Sequence, residues 1–291
     1  MINQLLSASS GLDWSSGTTW IKFVISEIFG TFALVFFGNG AVACYELKHT
    51  KGSSKNARGG LNWFGVGFGY GFGTMLGVIW SGFSDHHINP AADVFEFFIY
   101  LFNNRATIYD GQPWLIFIVI IVQIIGAMMA QLMLDLIFLI SIKSTEDQNA
   151  VFAMHATTRP KSENSSVKLQ YTIAFITEAF GTLILLLTLK STELFGQDLL
   201  DLTGNSEASQ TFITGIMAGF VVMLLVISIG GVTGPALNPA RDLGPRIVYT
   251  IIPLPGRDRK LAEWNYSWVP TLAPVVGAVF AALIFIGLDG I

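Results

Sequence analysis

The sequence predicts an all-α membrane protein, six transmembrane helices plus two re-entrant half-helices arranged as an inverted repeat. Three observations carry that prediction. Of 291 residues, 52% are hydrophobic and only 12% charged, with 23 Phe, which exceeds what a soluble domain tolerates. Mean hydropathy is +0.58, and the apolar residues fall in runs of bilayer length. One tripeptide also occurs in each half of the chain, as Asn89-Pro90-Ala91 and Asn238-Pro239-Ala240.

The elements follow in chain order. Met1 to Thr19 is polar, without a basic n-region or a small-residue cleavage site, so it reads as a retained tail (1–19) ahead of one membrane domain (20–291). A spanning helix needs about 20 mostly apolar residues. Trp20–Cys44 supplies the first, and its Cys44, the sole cysteine, has no internal disulfide partner. Leu61–Ser81 is the second, with Gly65, Gly69, Gly73 and Gly77 forming a ridge that permits close helix approach. Asn89 then reads as an N-cap and Pro90 as a first helical residue. The stretch Val94–Phe102 that follows is too short to cross, hence a half-helix. Trp114–Ile142 is the third span, and Lys143–Lys168 a polar loop. Leu169–Leu189, Thr211–Gly230 and Trp268–Leu288 are the remaining spans, with Leu243–Ile252 after Asn238 as the second half-helix. The connections Glu46–Gly60, Lys143–Lys168 and Ser191–Gln210 read as ordinary extramembrane loops without nucleic-acid or metal signatures.

The halves match beyond the tripeptides. Glu27-Ile28-Phe29-Gly30-Thr31 answers Glu178-Ala179-Phe180-Gly181-Thr182, and Glu27 precedes Asn89 by 62 residues where Glu178 precedes Asn238 by 60. Repeat one is therefore about 20–142 and repeat two about 169–288, with 143–168 between them. Three spans per repeat force the halves into opposite orientations, so their half-helices meet tip to tip near the midplane. Carboxylates within spans are costly, and Glu27 and Glu178 are expected to face inward and accept hydrogen bonds from non-helical backbone. Each Asn side-chain oxygen can cap its own half-helix, leaving its NH₂ to donate into the lumen. The opposed positive helix ends would raise the energy of any cation there. Arg241, in the first turn of the second half-helix, opposes the same dipole and wants a functional explanation.

These residues resemble the aquaporins and glycerol facilitators, the major intrinsic proteins, over about residues 20 to 288. The resemblance implies one narrow pore per subunit, usually in a homotetramer, in a multi-pass protein of the plasma membrane. It implies that Arg241 points into the narrowest constriction, donates to the permeant and repels cations. Asp242 and Arg246 after it, and Pro270 in the last span, resemble the glycerol-facilitator subgroup, with Asp242 and Arg246 as supports; a carboxylate at Asp242, in the first turn, also offsets the dipole and can brace the Arg241 guanidinium. Tyr70 best matches the aromatic filter position of the second span, with Gly69 and Phe68 as alternatives. Val226 and Pro235 match the other filter positions and replace a histidine or ring, leaving an apolar wall. His87 matches a histidine that braces the loop, and backbone carbonyls of about Asp85 to His87 and Gly234 to Ala236 are expected to line the pore. Asp93 and Glu96 read as helix support. Asp85 and His86 depart from the family pattern, and protonation of His86 would tune permeation between about pH 5 and 8.

The function implied is a passive channel, not an enzyme, conducting glycerol, other small uncharged solutes and water while excluding protons and ions. It needs no cofactor, metal or nucleic acid; its partners are the neutral permeants and the lipid bilayer. Alternatives are a strict water channel, or a channel for another neutral solute such as undissociated lactic acid, dihydroxyacetone or urea. A coupled transporter would need an ionisable relay, and an intramembrane enzyme a nucleophile with its base; neither pattern stands out. Family orientation places the termini in the cytoplasm and loops Glu46–Gly60, Lys143–Lys168 and Pro253–Glu263 outside. Those loops hold 11 of the 16 Lys and Arg residues, against the positive-inside tendency.

Overall fold

The computed structural model describes residues 14–53, 61–82, 87–103, 109, 112–203, 207–253 and 259–289. Asp85 and His86 lie outside them. The long helices are α1 (Gly17–Glu46), α2 (Leu61–Trp80), α3 (Pro90–Asn103) and α4 (Leu115–Ile137), followed by short α5 (Leu139–Ser144) and α6 (Gln148–Ala153). The second half contains α7 (Val167–Thr203), α8 (Glu207–Ser228), α9 (Pro239–Ile251) and α10 (Trp268–Asp289). Six of these are the spans; α3 and α9 are the half-helices.

The burial pattern is that of a protein dissolved in lipid. Along α4, Phe117, Ile121, Ile125, Met129, Leu132 and Leu136 face outward, while Gln123, Gln131 and Asp135 are buried with Gly126, Ala127 and Ala130. Polar side chains are inside because hydrocarbon offers them no partner. Among the described residues, five helices are long and apolar enough to cross unaided. The sixth span, α2, is diluted by glycine and lies between α1 and α8 at very short range. A Cβ on Gly77 would fall 2.6 Å from the Gly30 carbonyl of α1, and one on Gly71 2.7 Å from the Gly219 carbonyl of α8.

Three stretches differ from the sequence reading, one of them the expected loop Lys143–Lys168, which holds the short helix α6. The span expected over Trp114–Ile142 is interrupted at Phe138, whose φ of −94° and ψ of 13° leave the helix before α5 resumes. Its amide still bonds back to Leu134 O, so the break is a one-residue swivel. The stretch expected as the loop Ser191–Gln210 is largely helical, α7 running on to Thr203. Leu, a strong helix former, is the commonest residue of this extension, and Lys190 pairs with Glu193 one turn on.

Candidate functional site

The site is built where α3 and α9 begin. In both, the Asn side-chain oxygen caps the helix: Asn89 Oδ1 accepts from Ala91 N at 2.9 Å, and Asn238 Oδ1 from Ala240 N at 3.0 Å and Arg241 N at 3.3 Å. Pro90 and Pro239 occupy the first helical position, where a missing N–H costs nothing. The residue before each Asn is left-handed, Ile88 at φ 43° and Leu237 at φ 50°. Bulky side chains resist that conformation, and the surroundings must impose it. Glu27 and Glu178 do so. Glu27 Oε2 accepts from Ile88 N at 3.1 Å. Glu178 Oε2 accepts from Leu237 N at 2.8 Å, and its Oε1 from Ala236 N at 3.0 Å and Thr233 Oγ1 at 2.7 Å. Both carboxylates are buried, 1% and 0% exposed, so neither reaches a bilayer surface.

The two tips are laced together. Asn89 Nδ2 donates to Leu237 O at 3.0 Å, and Asn238 Nδ2 donates to Ile88 O at 2.8 Å. The expectation that each NH₂ serves the lumen outright is corrected by this crossing, because one hydrogen of each fastens the opposite loop. An amide carries two, so one per Asn is left for the lumen.

A cavity of about 60 Å³ passes this point. That is room for a few waters and far below the roughly 300 Å³ at which drug-sized pockets begin. Its walls include Leu34, Val78, Leu186, Val222 and Val226, and its polar side chains are Tyr70, Thr74, His87, Asn89, Asn238 and Arg241. Pro235 lines it too, packed where a Cβ on Gly230 would be 2.6 Å from its ring. Val226 holds its place through its carbonyl, which accepts from Trp63 Nε1 at 2.8 Å.

Arg241 is 3% exposed, and its Nη2 donates to the Tyr70 hydroxyl while its guanidinium lies 4.9 Å from the centre of the Tyr70 ring. Its Nε and Nη1 have no partner among the described residues. Of the three positions weighed in the second span, Tyr70 faces the cavity, Gly69 packs against Ala41 and Phe68 is 37% exposed on the outer face. The Tyr70 ring lies on bare Gly38, where a Cβ would fall 2.1 Å from a ring carbon.

Asp242 does not brace Arg241, which corrects the expectation drawn from its place in the first turn. Its oxygens take Arg246 Nε at 2.8 Å, Arg246 Nη2 at 3.1 Å, Thr157 N at 2.8 Å and Thr157 Oγ1 at 2.7 Å. One helical turn separates Asp242 from Arg246, the spacing at which side chains meet. Arg246 also donates to Thr157 O at 2.9 Å and to the carbonyls of Ala262 and Glu263. The pair therefore pins two loops to α9. At the first tip, Asp93 takes the corresponding role: its Oδ1 meets His87 Nδ1 at 2.7 Å and Tyr109 Oη at 3.0 Å, and its Oδ2 accepts from Gln123 Nε2 at 2.9 Å. Gln123 Nε2 also reaches Glu27 Oε2 at 2.8 Å. Glu96, two turns along α3, pairs with Lys190 at 3.1 Å.

Sequence reasoning passed over Gly38, Asn39, Gln123, Gln131, Asp135, His155 and Thr157. Four of them, Asn39, Gln123, Gln131 and Asp135, are polar residues inside apolar runs, a signal that marks interior-facing positions. Gly38 and Thr157 carry no such signal. Among the described residues no cluster of three or more His, Cys, Asp or Glu has a metal-binding arrangement.

Comparison with known proteins agrees with this geometry. The family model described as Major intrinsic protein matches residues 14–285. The "Glycerol uptake facilitator protein-like 5" of Lactiplantibacillus plantarum is 35% identical over 268 residues, covering 92% of this chain and 96% of the relative. The "Glycerol facilitator-aquaporin gla" of Lactococcus lactis subsp. cremoris is 32% identical over 297 residues, covering 92% and 97%. Among solved structures, the aquaglyceroporin from Plasmodium falciparum superposes with a TM-score of 0.69 at 28% identity, covering 92% of this chain and 96% of that one.

Proposed function

The chain belongs to the major intrinsic protein family, and on that footing we propose that it is a passive channel for glycerol, other small uncharged solutes and water, closed to protons and ions. The observation that carries this reading is Arg241, which lines a narrow, largely apolar cavity and whose buried Nε and Nη1 have no protein partner among the described residues. A polyol offers hydroxyl oxygens to those two donors and its carbon backbone to Val226, Pro235 and the Tyr70 ring. At the midplane the remaining amide hydrogens of Asn89 and Asn238 donate to the same passing oxygen. An oxygen that accepts twice cannot also pass a proton along a chain of waters. The opposed helix starts, each worth about half a positive charge, and the Arg241 cation repel hydronium further. Among the described residues lining the cavity there is no carboxylate, which favours passive conduction over ion coupling.

The family footing extends to assembly and placement. The proposed state is a homotetramer with one pore per subunit, in the plasma membrane. Its 1–19 tail lies in the cytoplasm, with repeats of about 20–142 and 169–288 joined by an external 143–168. Protease cleavage within 143–168 on intact cells tests the orientation. Stopped-flow light scattering on proteoliposomes tests the permeant: glycerol entry well above empty liposomes is expected, together with water flux. Fast water flux without glycerol entry overturns the polyol reading in favour of a strict water channel. Parallel uptake of urea, dihydroxyacetone and undissociated lactic acid assigns the preferred solute.

A further inference from the structure

Behind Tyr70, away from the lumen, the hydrogen bonds continue in one direction. The Tyr70 hydroxyl donates to Asn39 Oδ1 at 2.5 Å. Asn39 Nδ2 donates to Gln131 Oε1 at 2.8 Å and to His155 O at 3.3 Å. Gln131 Nε2 donates to Asp135 Oδ1 at 3.1 Å, and His155 Nε2 meets the same oxygen at 2.8 Å. Every member is buried. From Arg241 to Asp135 the chain runs over α9, α2, α1 and α4, and His155 closes it from the segment after α6.

Each amide in this chain has an orientation forced by its neighbour. The Gln131 NH₂ must face Asp135, because a carboxylate oxygen offers it an acceptor, and this leaves Gln131 Oε1 toward Asn39. Asn39 then turns its NH₂ to Gln131 and to the His155 carbonyl, both acceptors, and its oxygen to Tyr70. Tyr70 must spend its proton on Asn39, so its oxygen lone pairs are what Arg241 Nη2 meets. The His155 ring is fixed as well: Nδ1 lies 2.8 Å from Val151 O, an acceptor only, and therefore carries a proton. The contact between Nε2 and Asp135 Oδ1 holds one further proton, on whichever of the two atoms it rests. A buried carboxylate and imidazole thus anchor one end of a polarised chain whose other end is the filter arginine.

We infer that Asp135 and His155 are positioning residues for solute selection: through Gln131 and Asn39 they fix the Tyr70 hydroxyl as an acceptor, which holds Arg241 Nη2 and reserves Nε and Nη1 for the permeant. The inference rests on the channel reading above. Reversing one amide would present a hydrogen of Asn39 to Tyr70, leave the phenolic proton without its acceptor and put two donors on one phenolic oxygen, which weakens its hold on Arg241.

A double-mutant cycle tests this. Asp135→Asn, Tyr70→Phe and the double variant are reconstituted beside the wild type, and glycerol, urea and water permeabilities are measured in the same vesicles. Asp135→Asn is expected to shift the glycerol-to-urea ratio by about fivefold, the scale of one hydrogen bond, while water flux reports an intact pore. In the Tyr70→Phe background the same change is expected to have no further effect, because the hydroxyl it acts through is gone. An unchanged ratio in Asp135→Asn, or an equal shift with and without the hydroxyl, overturns the inference. If Asp135→Asn does not reach the bilayer, Gln131→Met cuts the same chain without touching the ion pair, and its cycle with Tyr70→Phe decides by the same two outcomes. Wild-type vesicles lacking glycerol flux would instead refute the channel reading itself.

Discussion

The two helix tips that meet in this pore are alike through their tripeptides and unlike just beyond. Both have a left-handed residue before the Asn, a buried glutamate holding that residue's amide, an Asn cap and a crossed amide-to-carbonyl bond. Three residues after the Asn they part: Ala92 in α3, Arg241 in α9. Four residues after it both carry a buried aspartate, yet Asp93 is satisfied by His87, Tyr109 and Gln123, and Asp242 by Arg246 and Thr157. What the repeat conserves is the device that turns the backbone. What it varies is the chemistry presented to the solute and the way each tip is tied down.

The largest effect is expected from the conserved part. Glu178→Ala strands the amides of Ala236 and Leu237 and the Thr233 hydroxyl in a buried loop, at about 1–3 kcal/mol per group. We expect loss of several kcal/mol and a large drop in the melting temperature of the detergent-purified protein. Glu27→Ala is expected to act in the same way at the other tip. A pair of variants that melt like the wild type would break the account of how the tips are held.

Next comes the tie that only the second tip has. Arg246→Ala leaves the Asp242 carboxylate buried without its cation, a change that costs about 3–5 kcal/mol. It also frees the Thr157 segment and the carbonyls of Ala262 and Glu263. Lower thermal stability together with faster proteolysis within 143–168 is expected. Unaltered proteolysis would show that the loop is held by other contacts. Arg241→Ala, by contrast, should leave folding nearly intact and act on selection. Loss of the charged donors is expected to relax the preference for glycerol over urea by about tenfold and to admit cations. Equal ratios in variant and wild type would place the filter elsewhere.

The sequence made the symmetric half of this design legible and much of the asymmetric half opaque. The paired tripeptides and the matching Glu27 and Glu178 are local patterns whose physics is local too: caps, dipoles and costly buried carboxylates. Arg241 stood out because it opposes a helix dipole. The partner of Asp242 is not legible in the sequence because two arginines lie within one turn of it, and only the packing of Thr157 and the Ala262 carbonyl decides which one it takes. The swivel at Phe138 and the helical run past Leu189 likewise depend on neighbours, since propensity alone sets boundaries loosely. Asn39 and Gln131 were visible as polar residues in apolar runs, but no periodicity says that they touch.

Gly38 offers the smallest and sharpest test, because it marks where the first repeat makes room for the second repeat's arginine. Counting 11 residues on from Glu27 and Glu178 makes Leu189 the counterpart of Gly38, and Lys190 that of Asn39. Leu189 projects its side chain to the cavity, and Lys190 is drawn to Glu96 and Glu193. Gly38 has no side chain to project, and the Tyr70 ring occupies that space, with Asn39 beside it to receive the phenolic proton. Gly38→Ala places a methyl 2.1 Å from the ring, so the ring must move. Such overpacking costs about 1–3 kcal/mol. The ring has the cavity on its open side and displaces toward it, which narrows the passage and loosens its hold on Arg241 Nη2. Glycerol flux is therefore expected to fall severalfold and water flux by less, because water needs less width and makes fewer contacts with the ring. The same substitution at Leu189 removes side chain from the wall and should raise flux or leave it unchanged. If Gly38→Ala and Leu189→Ala moved glycerol and water together in the same direction, the two repeats would not differ in the way the filter requires.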